Sequence, residues 1–125
     1  MKMTELHQNF SLIRTVYDNL SYQRVFDLME AYKEAEEKIR TVEEYRQEIV
    51  KKYADEEGKI PEENQEKANK EFQEVLDVDI KFKNPLTFTQ KDFEGSKLTG
   101  LQVMQLSGFI AKAKPAKKTA NKNKS

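Results

Sequence analysis

Four pairs of neighbouring glutamates, Glu36-Glu37, Glu43-Glu44, Glu56-Glu57 and Glu62-Glu63, come nearest in this chain to residues spaced for chemistry. Two carboxylates held close can divide into a general acid and a general base, or share a hard cation through their oxygens. Either use needs surroundings that desolvate one carboxyl or fix several oxygens about a point. Every pair here falls on a face that the periodicity below assigns to solvent, or in a connecting loop. The stretch "DEEGKIPEE" also lacks the alternating ligand spacing of a calcium loop. His7 is the single histidine, with no second ligand type beside it, so it reads as a surface helix residue and not a zinc or triad member. The absence of cysteine removes disulfides, thiolate metal sites and a cysteine nucleophile. Gly58, Gly95, Gly100 and Gly108 are too scattered to form a phosphate-cradling loop. The expectation is a protein that is not an enzyme and carries no metal or cofactor.

A second chemistry lies in the charge. Residues 111–125 hold six lysines, Lys112, Lys114, Lys117, Lys118, Lys122 and Lys124, and no acid. Residues 1–110 hold 16 basic against 22 acidic residues, so a net charge of zero conceals an acidic body and a basic end. Lysines spread among Ala, Asn and Pro can neutralise phosphates without ordering, which gives weak, salt-sensitive nucleic-acid binding. No Arg or aromatic is interleaved, so base readout and stacking are not provided for. The other readings are a solubilising end, or one that folds back on the acidic body. This segment is expected to be disordered.

The elements that would position such groups are helices. Leu6, Phe10, Ile13, Tyr17 and Leu20 mark one face of a first helix over 4–20, with Thr4 as its N-cap. "DNLSYQ" breaks the register. A second stripe then runs through Val25, Leu28, Tyr32, Ala35, Ile39, Val42, Ile49 and Tyr53 at heptad-like spacing. Glu34–Lys38, Glu36–Arg40 and Glu48–Lys52 stand four apart on the outer side. Gly58 reads as the C′ stop and Pro61 as the start of a third helix through Ala68, Phe72 and Val75, with Glu63–Lys67 and Glu66–Lys70 outside it. The result is a long antiparallel hairpin over 22–76. "VDIKFKNPLTFTQ" alternates apolar and polar residues about Asn84-Pro85, which predicts a two-stranded β arm over 78–89.

A closing helix over 99–110 is announced by a capping box from Thr99 to Gln102 and a staple between Leu98 and Val103. Its apolar residues point around most of the circumference, so it is expected to be buried on several sides, against Tyr22–Tyr32. A Thr99→Ala, Leu101→Asp variant would then unfold the domain. The fold class expected is mainly α (α+β), one domain over 1–110: a head from 4–32 and 78–110, with 33–76 projecting as an acidic stalk. The stripe is longer than the third helix can cover. Self-association is therefore expected through Ile39, Val42, Ile49 and Tyr53 and through the arm from Phe82 to Phe88. No apolar run approaches the ~20 residues of a spanning helix, and "MKMTELHQNF" has no apolar signal core, so a cytoplasmic protein with no membrane partner is expected.

The order of "EEYRQEIVKKYADEEGKI", a glutamate-rich helix, "VLDVDIKF" and "DFEGSKLTGLQVMQLSGFI" resembles an uncharacterised family of small proteins encoded by phages and prophages of Gram-positive bacteria. The likeness covers nearly all of 1–110, and its closing segment is the most specific part. The resemblance implies a phage or prophage context and a virion-assembly or accessory role, with phage structural proteins as partners. It supplies no functional residue to carry over.

Overall fold

A computed structural model describes residues 1–111. Three helices dominate: α1 (Met3–Asp18), α2 (Tyr22–Tyr53) and α3 (Glu62–Leu76). A one-turn 3-10 helix, Gln90–Phe93, then leads to a short α4 (Gly100–Gln105) and a second 3-10 turn, Ser107–Phe109. Helix α1 starts one residue before the expected cap, with Lys2 at the N-cap position. Ser21 caps α2, its hydroxyl accepting from the Arg24 N–H at 3.4 Å.

α2 and α3 form the antiparallel hairpin, but its turn is not closed by Gly58 as a C′ residue. α2 stops at Tyr53, and Ala54 leaves in extended conformation. Asp55 then organises the turn. Its carboxylate accepts the N–H of Glu57 and Lys59 at 2.9 and 3.0 Å, while its carbonyl accepts the Gly58 N–H. Gly58 sits at φ +82°, a conformation that costs other residues about 1 kcal/mol or more. Pro61 stands at the N-cap of α3, its φ of −58° already suited to helix entry.

One hydrophobic cluster joins these elements. α1 contributes Met3, Leu6, Phe10, Ile13 and Val16, and α2 contributes Leu28, Ala31, Tyr32, Ala35 and Val42. Phe72, Val75 and Leu76 of α3 pack on its edge. The tyrosine rings of residues 17 and 32 stack 4.0 Å apart, with Phe10 beyond at 5.8 Å. The body therefore reaches farther up the hairpin than a head ending at residue 32. In the outer part of the hairpin only Ile49 and Ala68 are buried.

Among the described residues there is no sheet, which overturns the two-stranded arm. Its residues 78–89 make single bridges with other segments: Lys2 with Asp79, antiparallel, and Phe88 with Ile110, parallel. The reason lies at the expected turn. The Glu34 carboxylate accepts the N–H of Lys83 and of Asn84 at 2.8 and 3.0 Å, and Pro85 has no N–H to give. These hydrogen bonds tie the corner to α2, and each half of the arm finds its backbone partner elsewhere. Met3 N–H donates to Val78 O and Ile80 N–H to Met1 O on one side. On the other, Phe88 N–H donates to Phe109 O and Ala111 N–H to Phe88 O.

The closing segment is also corrected. The capping box is present, with Thr99 Oγ1 accepting from Gln102 N–H and Gln102 Oε1 accepting from Thr99 N–H. Yet α4 ends at Gln105, and none of its residues is buried. Leu106 and Phe109, after the helix, carry the burial, joining Leu86 and Phe88 in the core. Gly108 fits against Glu5 and Met1, where an added Cβ would meet the Glu5 carboxylate. Leu101 and Met104 face solvent, as do Tyr22 and Phe26, so α4 leaves that part of the expected docking face uncovered.

Phe88→Ala is expected to cost about 3–5 kcal/mol, read as a lower urea midpoint, while Leu101→Asp stays within about 0.5 kcal/mol of the parent. Equal losses in the two variants would show that α4 is docked and the placement above is wrong.

Candidate interaction surface

The residues expected to form a seam between copies are occupied within the monomer. Val42, Ile49 and Phe88 are buried, and Ile39 and Phe82 are half-buried against the core. Lys38 Nζ lies 5.4 Å above the Phe82 ring. The Tyr53 hydroxyl donates to the Glu71 carboxylate of α3, to which Lys52 also donates at 3.2 Å. That carboxyl is held below its usual range by the Tyr53 hydrogen bond first and by Lys52 after it. None of the six side chains is exposed. A stripe at this spacing reads the same whether its partner is another copy or, as here, α1, α3 and the segment 86–88.

What stands outward is different. Tyr22 and Phe26, one turn apart at the start of α2, are 88% and 70% exposed. Leu101 and Met104, three apart on α4, are 73% and 69% exposed. Tyr45, midway along the hairpin, is 50% exposed. It walls two neighbouring concavities between α2 and α3, of about 460 and 280 Å³, which also share Val75. The larger runs toward Ile49, Lys52 and Glu71; the smaller runs toward Met3, Val78 and Ile80.

A few charged residues join distant segments. Arg24 Nε and Nη2 grip both Asp92 oxygens at 3.0 and 2.9 Å, and Thr89 N–H donates to the same carboxylate at 2.8 Å. Burial alone would raise the Asp92 carboxyl, but Arg24 and the Thr89 amide outweigh it and leave the carboxyl below its usual range. The same residues line a concavity of about 450 Å³ at the α1–α2 corner. Glu34 shows the same opposition: burial raises it, the Asn84 and Lys83 amides and Lys38 lower it, and the lowering wins.

His7 is not a plain surface residue. It is half-buried, its Nε2 3.3 Å from the Glu43 carboxylate of α2 and its ring edge-on to Phe72 of α3 at 5.9 Å. Arg46 and then His7 hold the Glu43 carboxyl below its usual range. The signal for this was position: His7 follows Leu6, on the flank of the α1 stripe. Of the expected helix-face pairs Glu34–Lys38 forms, at 3.9 Å. Arg40 turns to Glu37 and Lys52 to Glu71, while Glu36, Glu48, Glu63 and Glu66 make no ion pair among the described residues. Glu36, Glu44, Glu56, Glu57, Glu62 and Glu63 are exposed. Among the described residues no group of three or more His, Asp or Glu is placed to hold a metal ion. The six lysines from Lys112 to Lys124 lie outside the described residues. No helix among the described residues is long and apolar enough to cross a membrane.

No family model, no curated protein and no solved structure matches this chain.

The Arg24–Asp92 pair gives a pH signature. Because the folded carboxyl titrates below its unfolded value of ~3.9, its contribution is complete above that pH and is lost as pH falls through the folded pKa. Asp92→Ala is expected to cost about 1–3 kcal/mol near neutrality. The gap to the parent should close in strong acid, measured by urea unfolding across pH. A gap independent of pH would mean that the ion pair is not what the residue contributes.

Proposed function

We propose that this chain is a non-enzymatic structural or interaction protein that works by docking against other protein surfaces, other copies of itself first. The observation that carries the reading is the pairing of exposed large apolar side chains on single helix faces: Tyr22 with Phe26, and Leu101 with Met104. Scattered single apolar residues are ordinary on a protein surface, whereas aromatic and Met side chains grouped on a face are what contact sites are made from. The stripe from Ile39 to Tyr53 is buried or half-buried within the chain, so this reading does not rest on it.

The resemblance of the sequence to small phage and prophage proteins would put this role in virion assembly or an accessory step. It implies the host cytoplasm or the particle itself as the location and phage structural proteins as further partners. A second reading is kept for the six lysines of residues 112–125, which suit weak nucleic-acid binding through phosphates.

Sedimentation velocity over a range of concentrations tests the first reading. The parent should show a rising average mass, and a Tyr22→Ser, Phe26→Asp variant should lose that rise while keeping its helical circular dichroism. A parent that stays monomeric throughout would defeat it. For the second reading, a gel shift at low salt should show binding by the full chain. That binding should be lost when Lys112, Lys114, Lys117, Lys118, Lys122 and Lys124 are all changed to Gln. Undiminished binding would clear the lysines of any role.

A further inference from the structure

We propose that the lysine-rich segment 112–125 docks on its own chain, along the groove that Tyr45 divides between α2 and α3. The groove suits such an occupant in shape and in chemistry. Its floor is apolar, with Val42, Ile49 and Val75 buried or half-buried beneath the exposed Tyr45 ring. Its rim is acidic: Glu44, Glu48 and Glu74 are exposed and make no ion pair among the described residues. The two lysines beside it are already matched, Lys38 to Glu34 and Lys52 to Glu71. A chain of Lys, Ala and Pro can lay its four-carbon lysine stems on such a floor and present its ammonium groups to the rim and to the tyrosine face.

The place where the described chain ends supports the same occupant. Ala111 is bonded to Phe88, and Gly108 nearby lies against the side chains of Met1 and Glu5. The Met1 carbonyl in turn accepts the Ile80 N–H, and Ile80, Met3 and Val78 wall one end of the groove. The described chain thus ends three residues past Gly108, which neighbours the Met1 segment bonded to that end of the groove. Fourteen residues, 112–125, reach about 46–50 Å when extended. From Lys38 to Lys52 the groove follows α2 for only about 21 Å. The charges agree: six lysines without an acid face a stretch, 27–79, that holds 18 acidic and 9 basic residues. A docked segment would link the acidic hairpin to the basic end in one device.

The chain has no cysteine, so Asn121→Cys gives a unique site for a nitroxide label in the full-length protein. With 15N-labelled chain at about 0.02 M salt, amide signals of residues 41–49 and 71–75 should lose intensity, and about 0.5 M salt should restore them. Glu44→Lys with Glu48→Lys should abolish the loss without lowering the melting temperature. Absent broadening, or broadening centred on Tyr22–Phe26 or α4, overturns the proposal. A mixture of nitroxide-labelled 14N chain with unlabelled 15N chain decides between the chain's own segment and a neighbour's. An unbroadened mixture supports docking on its own chain, and an equally broadened one overturns it.

Discussion

The described structure depends on one unequal partnership: a single α1 stripe has to be covered from two directions. Leu6, Phe10, Ile13 and Val16 meet α2 and the edge of α3 on one side of the cluster. Leu86, Phe88, Leu106 and Phe109 complete it, and these come from segments with almost no regular structure of their own. Such segments can be buried only if their backbone groups are satisfied, because an unpaired buried amide or carbonyl costs roughly what a hydrogen bond is worth. The pairing of Phe88 with Phe109 and Ala111 does this beside the buried Phe88 and Phe109 rings. The Glu34 carboxylate does it for Lys83 and Asn84 at one corner, and the Asp92 carboxylate, gripped by Arg24, does it for Thr89 at the other. Carboxylates act here as substitutes for a neighbouring strand.

Much of the helical part was legible because its determinants are local. The three-and-four spacing of Leu6 to Ile13 and of Leu28 to Val42, the proline at 61 and the Thr99–Gln102 box all act within a turn or two of themselves. What could not be read was which surface covers which. The alternation of Val78, Ile80 and Phe82 fits a strand, yet no local signal tells that Glu34, far along the chain, will capture the amides at 83 and 84. The apolar residues of 101–110 predict burial all round, but the helix turns into a 3-10 step after Gln105. That step hands burial to Leu106 and Phe109 and leaves Leu101 and Met104 outside. The stripe from Ile39 to Tyr53 was open in the same manner: spacing shows that a face is apolar and is silent about whose atoms meet it.

The charged surface divides by the same logic. Asp92, Glu34, Glu43 and Glu71 each have a carboxyl held below its ordinary range, and each joins segments distant in the chain. The remaining glutamates of the hairpin are exposed and keep the charge of α2 and α3 unspent. The adjacent-glutamate pairs that looked nearest to chemistry belong mostly to this second group, with Glu43 the exception through His7 and Arg46. Chemistry-like spacing here reflects the supply of solvated charge on long helices.

The outer hairpin has a consequence for how the molecule opens. Past Val42 and Phe72 only Ile49 and Ala68 are buried, and the Tyr53–Glu71–Lys52 contacts hold the far end. Because α2 continues unbroken from the body into this region, its two halves belong to regions of unequal local stability. Backbone amides near Tyr53 and Glu62 would exchange with solvent through brief separations of the tip, while those near Ala31 and Ala35 would wait for the whole cluster to part. One continuous helix would then report two opening free energies along its length.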